Sequence, residues 1–210
     1  STCSIEARLE PSSGHDSFAG MTEHVPITNV PTRVKLRVED YLSFDRDGAF
    51  DGYGKTELID GEVTYINAQH GPHALAKMTL YDALRDGLRA AGSTLHVMVE
   101  ASVTWAPVDV PEPDLLLTSE PRGLGPVPGT SVSLVVEIAD ATLQSDLGRK
   151  ATLYAQHGVP EYWVIDVNGR TIHQLWSPMN DGYGDHVRHG FGTVIAAATI
   201  ANLLVETDHL

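Results

Sequence analysis

The segment Ser133 to Ile138 reads SLVVEI, and it sets the first limit on what this chain can become. It is almost continuously apolar and rich in β-branched residues. A strand with one wet face alternates apolar and polar residues, whereas one covered on both faces does not. Ser133 to Ile138 is therefore read as a strand inside a covered sheet. Tyr162 to Val167 (YWVIDV) is a second apolar strand. Ser145 to His157, between them, reads as a helix. Ser145 or Asp146 can cap its start, Gly158 follows its end and Pro160 lies just beyond.

The remaining punctuation fills in the order. Val38 to Phe44 suits a short helix. Thr56 to Ile59 and Glu62 to Ile66 flank Asp60-Gly61, a dipeptide whose turn matches strand twist, so they form a hairpin. His73 to Ala91 is a helix, with Leu80, Ala83, Leu84, Leu88 and Ala91 at steps of three and four and Gly92 as its stop. Leu95 to Trp105 is β-rich. Pro113 opens a short strand, Asp114 to Thr118. Ser119 to Thr130 is a loop. Asn168-Gly169 predicts a tight hairpin turn into Arg170 to Trp176. Beyond that the pattern gives only short strands or irregular structure. The result is an α/β chain with a mixed sheet and helices packed on it. Residues 1 to about 30, without apolar period, are read as a mobile tail, and 31–210 as a single domain.

Composition narrows the setting. The 210 residues suffice for a full core without staples. The single cysteine, Cys3, allows no disulfide framework, which favours a reducing compartment. No apolar run approaches the ~20 residues of a membrane span, and the first residues lack a basic start followed by an apolar stretch. A cytoplasmic location is expected. The formal charge of −14, from 14 basic and 28 acidic residues, argues against general, high-affinity nucleic-acid binding. Carboxylates gathered around a metal would offset part of that excess. Arg33, Lys35 and Arg37 would also share one face of an extended segment, as a basic patch or as a solvated surface strip.

Three features converge on one site. Asp114 and Glu137 each interrupt an apolar strand, and a carboxylate beside a dry core is costly unless paired or metal-bound. If their strands are antiparallel neighbours, the start of one lies beside the end of the other, and both acids reach one cation. Lys150 shares the helix stripe Leu147, Lys150, Ala151 and Tyr154, so it faces the sheet while Arg149 faces water. Glu57 is the acid in the first arm of the hairpin. Two or three carboxylates and a lysine suit phosphodiester hydrolysis around Mg²⁺ or Mn²⁺, with the Ile138 carbonyl as a further ligand. Structural alternatives stand beside each assignment: a turn-capping Asp114, a Glu137 paired with an arginine, a snorkelling Lys150 and a solvated Glu57. Glu161 and Asp166 are read as supports of the fold, and Tyr162 and Trp163 as core. His70 and His73 lack the spacing of a helical zinc pair. Gly52 to Thr56 fails the spacing of a phosphate loop, and no nucleophile elbow is present.

Pro113-Asp114, Val136-Glu137-Ile138, Lys150-x-x-x-Tyr154 and the run GVPEYWVID from Gly158 to Asp166 together resemble the restriction-endonuclease family of Uma type, within the PD-(D/E)XK nuclease superfamily. The segment Glu57 to Glu62 (ELIDGE) resembles its N-terminal signature, and His73 a histidine at the start of its first long helix. The resemblance runs from about Val38 to Trp176, and GVPEYW is its most specific part. It implies a restriction-endonuclease-like mixed central sheet flanked by helices, with additional β-hairpins. It also implies Asp114 and Glu137 as metal ligands, Lys150 as catalytic lysine, Glu57 as auxiliary acid, DNA as substrate and a homodimer. One position departs from the superfamily pattern. Ala139 stands where a lysine follows the second acid, and the resemblance implies that this lysine has migrated to Lys150. The stretch after Glu137, Ala139-Asp140-Ala141-Thr142, is altered too. Two functions follow: a metal-dependent endonuclease, or a catalytically silent nuclease fold that binds protein or nucleic acid.

Overall fold

Two neighbouring strands, β7 (Val132–Ala139) and β8 (Glu161–Asp166), form the middle of the sheet, and only Ser133 and Asp166 in them are not fully buried. They run parallel. Parallel neighbours need a crossover, and here it is helical. The structure, a computed structural model, describes residues 33–66, 71–121, 123 and 125–210. The tail expected at 1–30, and His70, lie outside the described residues.

From Val34 to Leu210 the chain forms one compact unit. It begins with α1 (Val38–Arg46), the hairpin β1 (Lys55–Ile59) and β2 (Glu62–Ile66), and the long α2 (Gly71–Ala90). Next come β3 (His96–Val99), β4 (Val103–Thr104), β5 (Leu115–Thr118), β6 (Val127–Pro128) and β7. The crossover consists of α3 (Leu143–Ser145), a π turn (Asp146–Lys150) and α4 (Ala151–Gln156). After β8 follow β9 (Thr171–Met179), β10 (Gly182–Gly190), β11 (Val194–Ala196) and β12 (Leu204–Glu206).

The central sheet has the order β10-β9-β8-β7-β5-β3, and every pair except β7–β8 is antiparallel. On one face, Ala76, Leu80, Leu84 and Leu88 of α2 join Ile195, Leu203 and Val205 against Leu117, Leu134, Val136, Trp163 and Ile165. On the other, Ala151, Leu153 and Tyr154 join Trp105 against Leu116, Val135, Ala139, Tyr162 and Val164. This is the mixed sheet covered on both faces that the apolar strands require. Among the described residues, no helix is long and apolar enough to cross a membrane.

The β1–β2 hairpin stands outside the main sheet. Leu58 anchors it by exchanging backbone hydrogen bonds with Val110, at 3.1 and 2.7 Å, and by packing with Val38 and Tyr41 of α1. Its turn has positive φ at both Asp60 (52°) and Gly61 (71°), the geometry for which Asp-Gly is selected. A Cβ on Gly61 would come within 2.5 Å of the Lys35 Cβ, so only glycine fits there.

Several boundaries differ from the sequence expectation. The crossover helix starts at Leu143, and Asp146 lies inside the π turn rather than capping a helix. The link from β8 to β9 is a four-residue loop, with Asp166 paired to Thr171. There the Asp166 Oδ1 accepts the Gly169 N–H at 2.8 Å and the Asn168 amide donates to the Asp140 carbonyl at 2.7 Å. These side-chain bonds replace the tight two-residue turn. The segment expected to be irregular after Trp176 contains the nine-residue β10, whose residues are mostly exposed. It is an edge strand, fixed by pairing with β9 instead of by an apolar pattern. The loop Ser119 to Thr130 contains β6, which pairs in parallel with β4. Lys35 is ion-paired with Asp60, and the Arg37 N–H is taken by Asp40 at the start of α1, so these two belong to the turn and the helix cap.

Candidate active site

The antiparallel register of β5 and β7 sets Leu115 opposite Val136. Asp114, just before β5, therefore lies beside Glu137 and Ile138 near the end of β7. The Ile138 N–H, beyond the last β5 pair, donates to Asp114 Oδ2 at 2.8 Å. The N–H and C=O of one strand residue point to the same edge, so the Ile138 carbonyl also faces the Asp114 side.

Lys150 arrives from the π turn. Its Nζ donates to Glu137 Oε1 at 2.9 Å and approaches Glu57 Oε1 at 3.4 Å. The Tyr154 hydroxyl, one turn further, donates to the same Glu137 oxygen at 2.7 Å. Glu57 is brought in by the hairpin, where its Oε1 also accepts the Glu112 N–H at 2.8 Å. Glu57 is 1%, Asp114 2%, Glu137 4% and Lys150 8% exposed. All four charged candidates thus meet at one end of the sheet, under protein cover. The solvated alternatives for Glu57 and Lys150 do not describe these positions, and Glu137 is paired with a lysine rather than an arginine.

A second set of groups reaches Asp114 from α2. Lys77 Nζ lies 2.8 Å from Asp114 Oδ1 and 2.6 Å from Glu100 Oε1. His73 Nε2 is 3.1 Å from Asp114 Oδ2, and the buried His73 Nδ1 has no hydrogen-bond partner among the described residues. Asp146, 3% exposed, adds a further carboxylate and accepts a hydrogen bond from the Thr142 hydroxyl. Sequence reasoning missed Lys77 and Asp146. Lys77 was within reach: stepping back from Leu84 and Leu80 along the α2 stripe gives Lys77 and then His73. Asp146 was too, since it lies four residues before Lys150 on the side that continues to Tyr154.

Crowded, buried acids perturb one another. Burial, reinforced by Asp114, Asp146 and Glu57, outweighs Lys150 and pushes the Glu137 carboxyl up to about 7. For Lys150, burial acts to lower the value, but Glu137 and Glu57 overcome it and hold the ammonium firmly protonated. At Asp114 burial favours the neutral acid, and His73 and Lys77 more than reverse that, holding it well below the ordinary carboxylate range.

The cavity over these groups has a volume of about 210 Å³. Lys55, Thr64, Tyr65, Ser145 and Arg149 line it together with the acids and Lys150. A larger hollow of about 710 Å³ lies between α2 and the β11–β12 hairpin, and its charged lining is Asp82, Asp86 and Glu206. The smaller cavity brings Lys55, Arg149 and Lys150 together with Glu57, Asp114, Glu137 and Asp146.

Among the described residues, no three His, Cys, Asp or Glu side chains form a ready-made metal cage. A hard divalent cation needs less than that, because it keeps several waters and takes one or two carboxylates. Glu137 accepts both of its hydrogen bonds on Oε1, so Oε2 makes none among the described residues. Asp114 and Ile138 line the same cavity as Glu137. The donor set is all oxygen and fits Mg²⁺ or Mn²⁺. The other polar positions are structural: buried Glu161 accepts from Trp163 Nε1 at 2.7 Å and from Gln174 at 2.8 Å, and His157 pairs with Asp109 at 2.9 Å.

Residues 38–205 match the Uma2 family, whose description is "Putative restriction endonuclease". No curated protein matches the chain. The fold is similar to the crystal structure of a putative nuclease belonging to DUF820 from Anabaena variabilis, with a TM-score of 0.61 and 13% identity. That similarity covers 83% of this chain and 95% of the other.

Proposed function

This chain belongs to the Uma2 family of putative restriction endonucleases, and from that premise we propose that it is a Mg²⁺- or Mn²⁺-dependent endonuclease that hydrolyses phosphodiester bonds of DNA and acts as a homodimer. The observation that carries the reading is the convergence of Lys150 on Glu137 and Glu57, at 2.9 and 3.4 Å, beside Asp114 in an otherwise dry core.

Asp114, Glu137 and the Ile138 carbonyl would hold the metal, which supplies Lewis acidity and a water of lowered pKa. Lys150 stays charged and aims its Nζ at the position where negative charge develops on the phosphate. Tyr154 fixes Glu137 Oε1, which leaves Oε2 toward the cavity. Glu57 steadies Lys150 from the hairpin side. Lys55 and Arg149, at the mouth, draw the phosphodiester backbone into an otherwise acidic protein. Two copies suit a two-stranded substrate.

Calorimetric titration of Mn²⁺ tests the site without a choice of substrate. The wild type shows one site, and Asp114→Ala/Glu137→Ala loses it. DNA cleavage depends on Mg²⁺ and is abolished by Glu137→Ala with the far-UV circular dichroism unchanged. Cleavage that persists in Glu137→Ala overturns the assignment. A second reading, a catalytically silent nuclease fold that binds protein or nucleic acid, draws on the engagement of Asp114 by Lys77, His73 and the Ile138 N–H. It predicts no specific Mn²⁺ site even at millimolar metal.

A further inference from the structure

Lys77 has no part in the scheme above, yet its ammonium is buried at the acid that the scheme needs. The two oxygens of Asp114 differ. Oδ2 is fixed by the Ile138 backbone N–H and His73. Oδ1 receives Lys77, a side chain that already has a second acceptor, Glu100 Oε1, at the shorter distance of 2.6 Å. Glu100 is built for that contact. It follows β3 in a left-handed conformation (φ 48°), which is costly for a residue with a side chain, and its N–H donates to the Asp114 carbonyl at 3.2 Å. Its side chain is 49% exposed, so it keeps water on one side while holding Lys77 on the other.

We propose that Lys77 is a resident cation at the metal position, which neutralises Asp114 while no metal is bound and shifts toward Glu100 when a divalent cation takes Asp114 Oδ1. The inference rests on the metal-dependent reading of the site. An ammonium and a divalent ion cannot share one carboxylate oxygen at contact distance without strong mutual repulsion. Lys77 therefore sets the metal affinity of the site, as a positioning residue for Asp114 and a competitor for its charge. Lys150 does not play this part, because its acceptors Glu137 and Glu57 are buried and, among the described residues, it has no exposed partner to retreat to.

The test is Mn²⁺ titration of the full chain by calorimetry, with thermal melting measured in parallel. Lys77→Met tightens Mn²⁺ binding roughly tenfold or more, the effect of removing one competing charge at contact distance. Glu100→Gln weakens it, since the ammonium then stays on Asp114. In the double variant Lys77→Met/Glu100→Gln the effect of the Glu100 change shrinks, because nothing remains for it to hold. A Lys77 that merely props Asp114 gives the opposite result: weaker binding in Lys77→Met together with a lower Tm. Weaker or unchanged binding in Lys77→Met, with a normal wild-type site, overturns this proposal and leaves the metal-dependent reading standing. A site that emerges only in Lys77→Met supports the proposal strongly. No site in either protein overturns both.

Discussion

Lys77 and Lys150 make a natural pair for comparison. Each is a buried lysine held between two carboxylates at one end of the same sheet. Lys77 comes from an ordinary helical stripe on α2 and bridges a buried acid to a half-exposed one. Lys150 comes from a π turn and lies among Glu137, Glu57 and Asp146, all buried. The difference shows that burial alone does not define a lysine's task. What matters is whether its charge has an alternative partner in contact with water. Lys77 has one and can leave. Lys150 has none among the described residues and is a permanent part of the site.

Removing each charge separates them. Lys150→Met strands two buried carboxylates, Glu137 and Glu57, and lowers metal-free stability by about 3–5 kcal/mol, the cost typical of a broken buried pair. Lys77→Met costs less, about 1–2 kcal/mol, because Asp114 retains His73 and the Ile138 N–H while Glu100 faces water. Urea denaturation of the two variants at one pH checks the order, and equal losses would break the distinction drawn here.

Acidity gives a smaller and reversible handle on the Lys150 side. Glu137 binds its proton more tightly in the folded protein, with a value near 7 against 4.5 for an ordinary glutamate. Its contribution is therefore fully present below the unfolded value and is lost as pH rises through the folded one. Relative to Glu137→Gln, the wild type loses stability as pH rises between roughly 4.5 and 7. Divalent metal reverses that trend by releasing the proton. Denaturation curves of both proteins across this range, with and without Mn²⁺, read the effect, and parallel pH profiles would refute it. The smallest effect belongs to a pair that only looks similar. Lys35 and Asp60 are ion-paired, but their side chains are 50% and 65% exposed. Lys35→Ala changes stability by less than about 1 kcal/mol, as measured by thermal melting. A larger change would show that the hairpin turn depends on its charge.

These contrasts also mark what the amino-acid sequence could disclose. Period and punctuation were enough for the covered strands β7 and β8, the Asp-Gly hairpin and the stripe of α2, because each reflects a local rule repeated over many residues. Asp114, Glu137 and Lys150 stood out because a charge inside an apolar pattern is conspicuous. Lys77 carried the same signal on the α2 stripe, between His73 and Leu80. Glu100 carried none, because it acts through a left-handed backbone at a strand end. Strand β10 was also silent, since an edge strand takes its shape from its neighbour and needs no apolar alternation.

The π turn has a consequence of a different kind. A turn of this sort is a helix with one residue too many, and that extra residue sets the phase of everything after it. Lys150 points at Glu137, and Asp146 is buried near it, because of how many residues lie between Thr142 and Tyr154, not only because of which ones they are. The geometry of the site is thus recorded partly as a length. Exchange of side chains can retune such a site, but the loss of a single residue from the crossover would rotate the lysine off its partners while leaving every functional residue in place.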